Sequence, residues 1–303
     1  MPTEISTIAF VGLGTMGAPM ARNLMRGGYG VVGFDTNPPA LAAHVSAGGR
    51  AAASLIDAAA DAQVAITMLP DSPDVERAIL GDGGIIQGLR PGTVLIDMSS
   101  IDPATTRRIG EQLAARNIYM IDSPVGKTAD HAVAGTLTLM VGGDPDIIRG
   151  VRPVLDRMGT DFFYCGPLGS GCAMKLTNNF LANILMAGSV EALVLGTKAG
   201  LSLDLMTRVM KTTMAWNNQL GVSLPKKALA DDLSLGFMVR LAEKDQRLAT
   251  QMAQGLDVKT PVADAALTTL REAVASGLGE LDVSAVLRLR EQQAGVRVRL
   301  PRE

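Results

Sequence analysis

Lys175 stands in the run Gly169-Ser170-Gly171-Cys172-Ala173-Met174-Lys175-Leu176-Thr177-Asn178-Asn179, which opens a long apolar helical stretch reaching about Gly200. On a helix, residues three, four and seven positions apart share a face. Lys175, Asn178, Asn179 and Ala182 therefore share one stripe. It carries one cation, two amides and no bulk, beside the apolar Met174, Leu176, Phe180 and Leu181. A lysine set among core-type residues is costly to bury unless an anionic group meets it. The stripe thus offers a cation and amides to something anionic. A snorkelling lysine with two surface amides fits the same pattern.

Composition narrows what such a stripe can serve. The chain has 303 residues, enough for two domains, and 47% of them are hydrophobic, so large cores can be buried. The net charge of −2 and an aromatic content of 3% give neither a basic stripe nor a stacking surface for nucleic acid. No apolar run reaches a membrane span without interruption. Leu181–Leu195 comes closest, and Asn183, Ser189 and Glu191 break it. Met1-Pro2-Thr3-Glu4 lacks the basic start of a signal peptide, so the chain reads as soluble and cytoplasmic. Cys165 and Cys172 are too few for a disulfide framework or a zinc site. With only His44 and His131 present, a histidine metal site or a Ser-His-Asp hydrolase is not expected, and no metal is assigned.

The elements that must position the chemistry begin at the N-terminus. Ile8-Ala9-Phe10-Val11 reads as a short buried strand. Gly12-Leu13-Gly14-Thr15-Met16-Gly17 follows at once, and Ala18–Met25 reads as a helix. This strand, glycine turn and helix form a dinucleotide fingerprint. Gly12 permits the tight turn, Gly14 lets the backbone approach a pyrophosphate, and Gly17 lets helix and strand pack closely. A second strand, Gly30–Phe34, ends at Asp35, where a carboxylate can accept bonds from ribose hydroxyls and would repel a 2′-phosphate. Thr36-Asn37-Pro38 offers no arginine for that phosphate, so NAD(H) is the expected cofactor. Asp35 capping the following turn is the plainer alternative.

The α/β alternation continues with strands at Val64–Met68, Thr93–Asp97 and Asn117–Ile121. Ligands bind at the carboxyl ends of such strands, which places Leu69, Ser100 and Ser123 where cofactor and substrate would meet. Two later strands, about Thr136–Val141 and Asp161–Tyr164, flank a helix near Pro145–Met158. After residue 165 only helical stretches follow, at about 169–199, 202–213, 217–230, 234–255, 260–276 and 282–291. The expected domains are 1–165, binding dinucleotide, and 166–292, all-helical, with a loose basic tail at 293–303. Lys244, inside Leu241-Ala242-Glu243-Lys244-Asp245, either reaches the cofactor or pairs with an acid on the surface.

Together these segments resemble the β-hydroxyacid dehydrogenase family, which includes 3-hydroxyisobutyrate dehydrogenases and tartronate semialdehyde reductases. The likeness runs from Ile8 to about Leu287. It rests on Gly12-Leu13-Gly14-Thr15-Met16-Gly17, Met68-Leu69-Pro70, Asp122-Ser123-Pro124-Val125, Gly135-Thr136-Leu137 with Gly142-Gly143, Lys175 with Asn178-Asn179, and Lys244-Asp245. The resemblance implies an α/β Rossmann N-terminal domain followed by an all-α C-terminal domain, assembled as a homodimer or homotetramer. It implies Lys175 as catalytic acid/base, with Asn178 and Asn179 positioning substrate. It matches Thr15, Met16, Leu69, Ser100 and Lys244 to the cofactor, beside the Gly12, Gly14, Gly17 and Asp35 of the fingerprint, while Ser123 at its strand end is assigned to the substrate side.

One departure bears on substrate. The family commonly continues Pro-Val with Ser-Gly-Gly, a loop that grips a carboxylate. This chain reads Pro124-Val125-Gly126-Lys127-Thr128-Ala129-Asp130-His131. That run is similar to the Gly-Arg-Thr loop of 3-sulfolactaldehyde reductases, with lysine in the arginine's place, and Asn178-Asn179-Phe180 looks like their Asn-Asn-Tyr. Lys127 and Thr128 are thus expected to hold a sulfonate, whose three oxygens suit a point charge plus hydroxyl and amide donors. Lys127 as a solvated loop charge is the alternative. The expected reaction interconverts 3-sulfolactaldehyde and 2,3-dihydroxypropane-1-sulfonate. Behind it stand a carboxylate substrate, as in 3-hydroxyisobutyrate dehydrogenase or tartronate semialdehyde reductase, and a non-catalytic NAD-binding scaffold.

Overall fold

The computed structural model describes residues 5–234 and 236–299. Met1–Glu4 and the end of the basic tail from Leu300 onward lie outside the described residues. The chain forms two compact units, Met1–Lys175 and Leu176–Glu303.

In the first unit, strands and helices alternate: β1 (Thr7–Val11), α1 (Gly17–Arg26), β2 (Gly30–Phe34), α2 (Pro38–Ser46), β3 (Arg50–Ala51), α3 (Leu55–Ala59), β4 (Val64–Thr67), α4 (Ser72–Leu80), β5 (Val94–Asp97), α5 (Pro103–Ala114), β6 (Tyr119–Asp122), β7 (Val125–Gly126), α6 (Ala129–Ala134), β8 (Leu137–Gly142), α7 (Pro145–Leu155) and β9 (Gly159–Gly166). They build one sheet in the order β3-β2-β1-β4-β5-β6-β8-β7, with β9 on β8. The pairs from β3 to β6 are all parallel, whereas β8 runs antiparallel to β6 and β7.

Successive side chains of a strand point to opposite faces, and here both faces are covered. Ile8, Phe10, Ile66 and Ile96 enter one core. Ala9, Val11, Ala65 and Leu95 enter the other. This is why Ile8–Val11 in β1, Val64-Ala65-Ile66 in β4 and Val94-Leu95-Ile96 in β5 read as unbroken apolar runs. The fold is the expected α/β Rossmann type.

α8 (Ser170–Lys198) begins in the first unit and continues into the second. It is followed by α9 (Leu203–Lys211), α10 (Leu224–Lys226), α11 (Val239–Gly255), α12 (Pro261–Ala273) and α13 (Val286–Ala294). Val190, Leu193, Leu224, Val239, Val286 and Leu287 anchor the core of this helical unit. By length and a mean hydropathy of 1.6, α8 alone among the described helices could cross a membrane, yet Val190 and Leu193 are fully buried in that core.

Two expectations need correction. The stretch 217–230 is not one helix. It divides into a wide turn at Gln219–Ser223, the short α10 and a tight turn at Ala228–Ala230. Pro225 cannot donate a helical N–H, and Lys227 leaves helical geometry at φ −122°, ψ −104°. The tail is not loose as far as it is described. Val298 is 1% exposed, and Arg297 and Arg299 pair with Asp231.

Candidate active site

The glycine turn between β1 and α1 shows which of its residues serve the protein and which serve something else. Gly12 has φ +94°, and a Cβ there would collide with the Met68 carbonyl. A Cβ on Gly17 would collide with the Gly12 carbonyl. Packing alone therefore requires both glycines. At Gly14, by contrast, an added Cβ would meet no protein atom within 4 Å. Gly14 and Thr15 are exposed, and Met16 is half-buried. α1 also starts without a side-chain cap and without an acid in its first turn. An open backbone before an uncapped positive helix end fits a pyrophosphate.

Asp35, just past β2, accepts the Leu13 N–H at 2.6 Å through Oδ2 and the Asn37 N–H at 2.8 Å through Oδ1. It thus braces the glycine turn and its own turn together. Leu69 follows β4, Ser100 follows β5 and Ser123 follows β6. Because β1, β2, β4, β5 and β6 are parallel, all of these residues share the carboxyl edge of the sheet.

Beneath that edge lie two buried acids. Asp97 and Asp122 are register partners on β5 and β6, and both are 0% exposed. Asp97 accepts the Thr67 hydroxyl at 2.8 Å and the Ser99 N–H at 3.1 Å, while Ser99 Oγ accepts the Leu69 N–H at 2.9 Å. Asp97 therefore holds the exit loops of β4 and β5. Burial pushes its pKa up to about 6, although bonds from Ser99 and Thr67 pull in the other direction. Asp122 is also raised by burial, and the N–H groups of Cys172 and Gly169 oppose that shift. Ser123 itself is wholly buried, and its hydroxyl has no hydrogen-bond partner among the described residues.

Lys127 follows β7 in left-handed backbone geometry, φ +75°. Its Nζ lies 2.6 Å from Asp161 Oδ2 and donates to the Thr136 carbonyl at 2.7 Å. The cation expected to face a substrate anion thus already has a carboxylate. Asp161 lies on β9, 34 residues away in sequence. Its own pKa is lowered by the hydrogen bond and charge of Lys127. Thr128 Oγ1 contacts His131 Nδ1 at 2.9 Å.

On α8, Lys175 is half-buried, Asn178 exposed and Asn179 buried. Within the helical unit, Asn178 Nδ2 donates to Asn179 Oδ1 at 3.1 Å, and Asn179 Nδ2 donates to Asp245 Oδ2 at 2.6 Å. Lys244 Nζ lies 3.0 Å from Asp245 Oδ1. α11 therefore joins Lys244 to the asparagine pair through Asp245. Asn178, Asn179 and Lys244 stand out in the sequence, whereas Asp97, Asp122 and Asp245 acquire a role only in the structure. Asp97 and Asp122 end β5 and β6, and Asp245 follows Lys244, so position at a strand end or beside Lys244 is the signal the sequence carries for them.

The chain also matches known proteins along most of its length. Residues 7–166 match the family model for the NAD binding domain of 6-phosphogluconate dehydrogenase. Residues 169–290 match that for the NAD-binding region of NADP-dependent 3-hydroxyisobutyrate dehydrogenase. An NAD-dependent L-serine dehydrogenase of Pseudomonas aeruginosa is 39% identical over 294 residues, covering 95% of this chain and 99% of that protein. A 3-sulfolactaldehyde reductase of Escherichia coli is 38% identical over 292 residues, covering 96% and 98%. The solved structure of Mycobacterium tuberculosis 3-hydroxyisobutyrate dehydrogenase with L-serine superposes with a TM-score of 0.88 at 32% identity, covering 94% of this chain and 99% of that one. NAD(H) is the cofactor these likenesses support. The chain belongs to the β-hydroxyacid dehydrogenase family and is an NAD-dependent oxidoreductase of that type.

Proposed function

We propose that this protein interconverts a small anionic three-carbon semialdehyde and its primary alcohol, with Lys175 as the catalytic acid/base. The observation that carries the reading is the α8 stripe. Lys175 stands one turn before two asparagines whose amides are tied into one hydrogen-bonded chain. Bound NAD(H) supplies or accepts the hydride. The turn at Gly12, Gly14, Thr15, Met16 and Gly17 would hold its pyrophosphate. Asp35 would take the ribose hydroxyls, and Leu69, Ser100 and Lys244 would line the rest. In reduction, Lys175 Nζ donates a proton to the oxygen that becomes the alcohol. In oxidation it takes the hydroxyl proton. One well-placed group of this kind contributes about 10²–10⁴-fold. Asn178 and Asn179 would position the oxygen, and Ser123 would stand on the substrate side, at the carboxyl end of β6.

For the anionic tail, the first reading is a sulfonate held by Lys127 and Thr128, as in 3-sulfolactaldehyde. It is supported by Gly126-Lys127-Thr128 and by the likeness to a 3-sulfolactaldehyde reductase. Lys127 must then leave Asp161. Both side chains are partly exposed, at 32% and 47%, and exchanging such a pair costs about 1 kcal/mol or less. A charge-assisted bond to a substrate offsets that cost. The second reading is a carboxylate substrate, such as L-serine or 3-hydroxyisobutyrate. It is favoured by the Lys127 to Asp161 contact and by the L-serine bound to the mycobacterial relative.

The deciding experiment compares kcat/KM for 3-sulfolactaldehyde, methylmalonate semialdehyde, tartronate semialdehyde and L-serine with the matching NAD form. The sulfonate reading expects the sulfonate to lead, Lys127→Ala to raise its KM about tenfold, and Asp161→Asn to lower its KM. A carboxylate substrate leading by tenfold, with Lys127→Ala leaving the ranking alone, establishes the second reading. No turnover on any of the four, with NADH bound normally, would favour a scaffold.

A further inference from the structure

We infer that Asp122 is a positioning residue that anchors the first turn of α8 to the sheet and thereby sets where Lys175 stands; this rests on Lys175 as the acid/base. The first turn of a helix has backbone N–H groups with no partner inside the helix, and they need acceptors. α8 takes its acceptor from outside its own sequence. Asp122 Oδ1 accepts the Gly169 N–H at 2.7 Å, and Asp122 Oδ2 accepts the Cys172 N–H at 2.7 Å. Both bonds reach about fifty residues along the chain. Both acceptors are oxygens of one carboxyl group, whose ionised form makes the strong kind of bond and suits the positive end of the helix.

The surroundings are built to admit that carboxylate and nothing larger. A Cβ on Gly142 would stand 2.5 Å from Asp122 Oδ1. A Cβ on Gly171 would stand 2.9 Å from Asp122 Oδ2 and would collide with the Met140 carbonyl. Asp122 is 0% exposed, so bulk water does not reach its oxygens. Gly142 is also the register partner of Asp122 across β6 and β8. Lys175 follows Cys172 by three residues, less than one turn. A shift of the turn that Asp122 grips is therefore carried to Lys175 by the rigid helix, while the glycine turn at β1, on another part of the sheet edge, is untouched.

Asp122→Asn keeps the shape but faces one of the two N–H donors with an NH₂ group. Hydrogen exchange of the full-length protein should then show the Gly169–Lys175 amides exchanging at least tenfold faster, with the peptide around Gly12 unchanged. Gly142→Ala, whose Cβ would press between Asp122 Oδ1 and the Gly171 N–H of the gripped turn, should act in the same direction. With the best substrate of the panel above, Asp122→Asn should lower kcat at least tenfold and leave KM for NADH within twofold. In a Lys175→Met background it should have no further effect, because a residue that acts through Lys175 has nothing left to position. Unchanged exchange at Gly169–Lys175 in both variants overturns the anchor. Faster exchange with normal kcat, or effects that add in the double variant, overturns the link to Lys175. If Lys175→Met alone keeps normal activity, the acid/base reading falls, and the exchange arm still decides the anchor by itself.

Discussion

Asn179 Nδ2 meets the buried Asp245 carboxylate at 2.6 Å, and this one bond decides how two amides point. A carboxylate only accepts, so the NH₂ of Asn179 must face it. Asn179 Oδ1 is then left for Asn178 Nδ2, at 3.1 Å, and Asn178 presents its carbonyl oxygen outward as an acceptor. Asp245→Asn lets the Asn179 amide turn over and removes the charge facing Lys244. The expected result is a fall in kcat/KM of about tenfold or more, the size of one charge-assisted bond. Steady-state kinetics at saturating NADH measure it, and a value within twofold of wild type would show that the amide orientation does not matter.

Lys175→Met should keep the fold and NADH binding but lower kcat by roughly 10² or more, since only the proton-transfer group is lost. Thermal melting, NADH titration and single-turnover rates together check this. Near-normal single-turnover chemistry would falsify the acid/base role.

Gly14 and Gly12 should separate ligand from fold. Gly14→Ala meets no protein atom within 4 Å, so its Tm should match wild type. Its KM for NADH should rise about tenfold, which corresponds to about 1.4 kcal/mol. Gly12→Ala forces a Cβ against the Met68 carbonyl at φ +94° and should lower Tm clearly. Equal NADH affinity for wild type and Gly14→Ala would mean that the pyrophosphate does not lie over this turn.

Asp97 should leave a signature in stability against pH. Its pKa is raised by burial to about 6, above that of the unfolded chain. The folded state therefore binds more protons than the unfolded state between about pH 4 and 6. Stability from this group is present below that window and falls as pH rises through it. In Asp97→Asn the added NH₂ can take the place of Oδ2, which has no hydrogen-bond partner among the described residues, and the acceptor for Thr67 and Ser99 is kept. The variant should gain on wild type from pH 4 upward and level off above pH 6, by at most about 3 kcal/mol. Denaturant unfolding at several pH values tests this, and a difference that does not change with pH removes the argument.

What the sequence by itself determined were features set by neighbours along the chain. The glycine turn follows directly on β1, so Gly12, Gly14 and Gly17 announced a Rossmann unit without any knowledge of contacts. Runs such as Val94-Leu95-Ile96 are apolar on both faces, and that pattern marks a covered parallel strand. The Lys175, Asn178 and Asn179 stripe follows from helical period alone. The two-residue strands β3 and β7 were not legible, because two residues carry no period and exist only by pairing with β2 and β8. The break at 217–230 was missed because Pro225 lies in a stretch that is otherwise helical in composition. The supports of the candidate site were decided only by tertiary structure. Asp122 meets Cys172 across 50 residues, Asn179 meets Asp245 across 66, and Lys127 meets Asp161 across 34. A side chain's partner at such separations depends on which strand and helix ends fold together, and a charge's meaning changes with its partner. The sequence offered Lys127 as a free cation, and the sheet supplied its carboxylate.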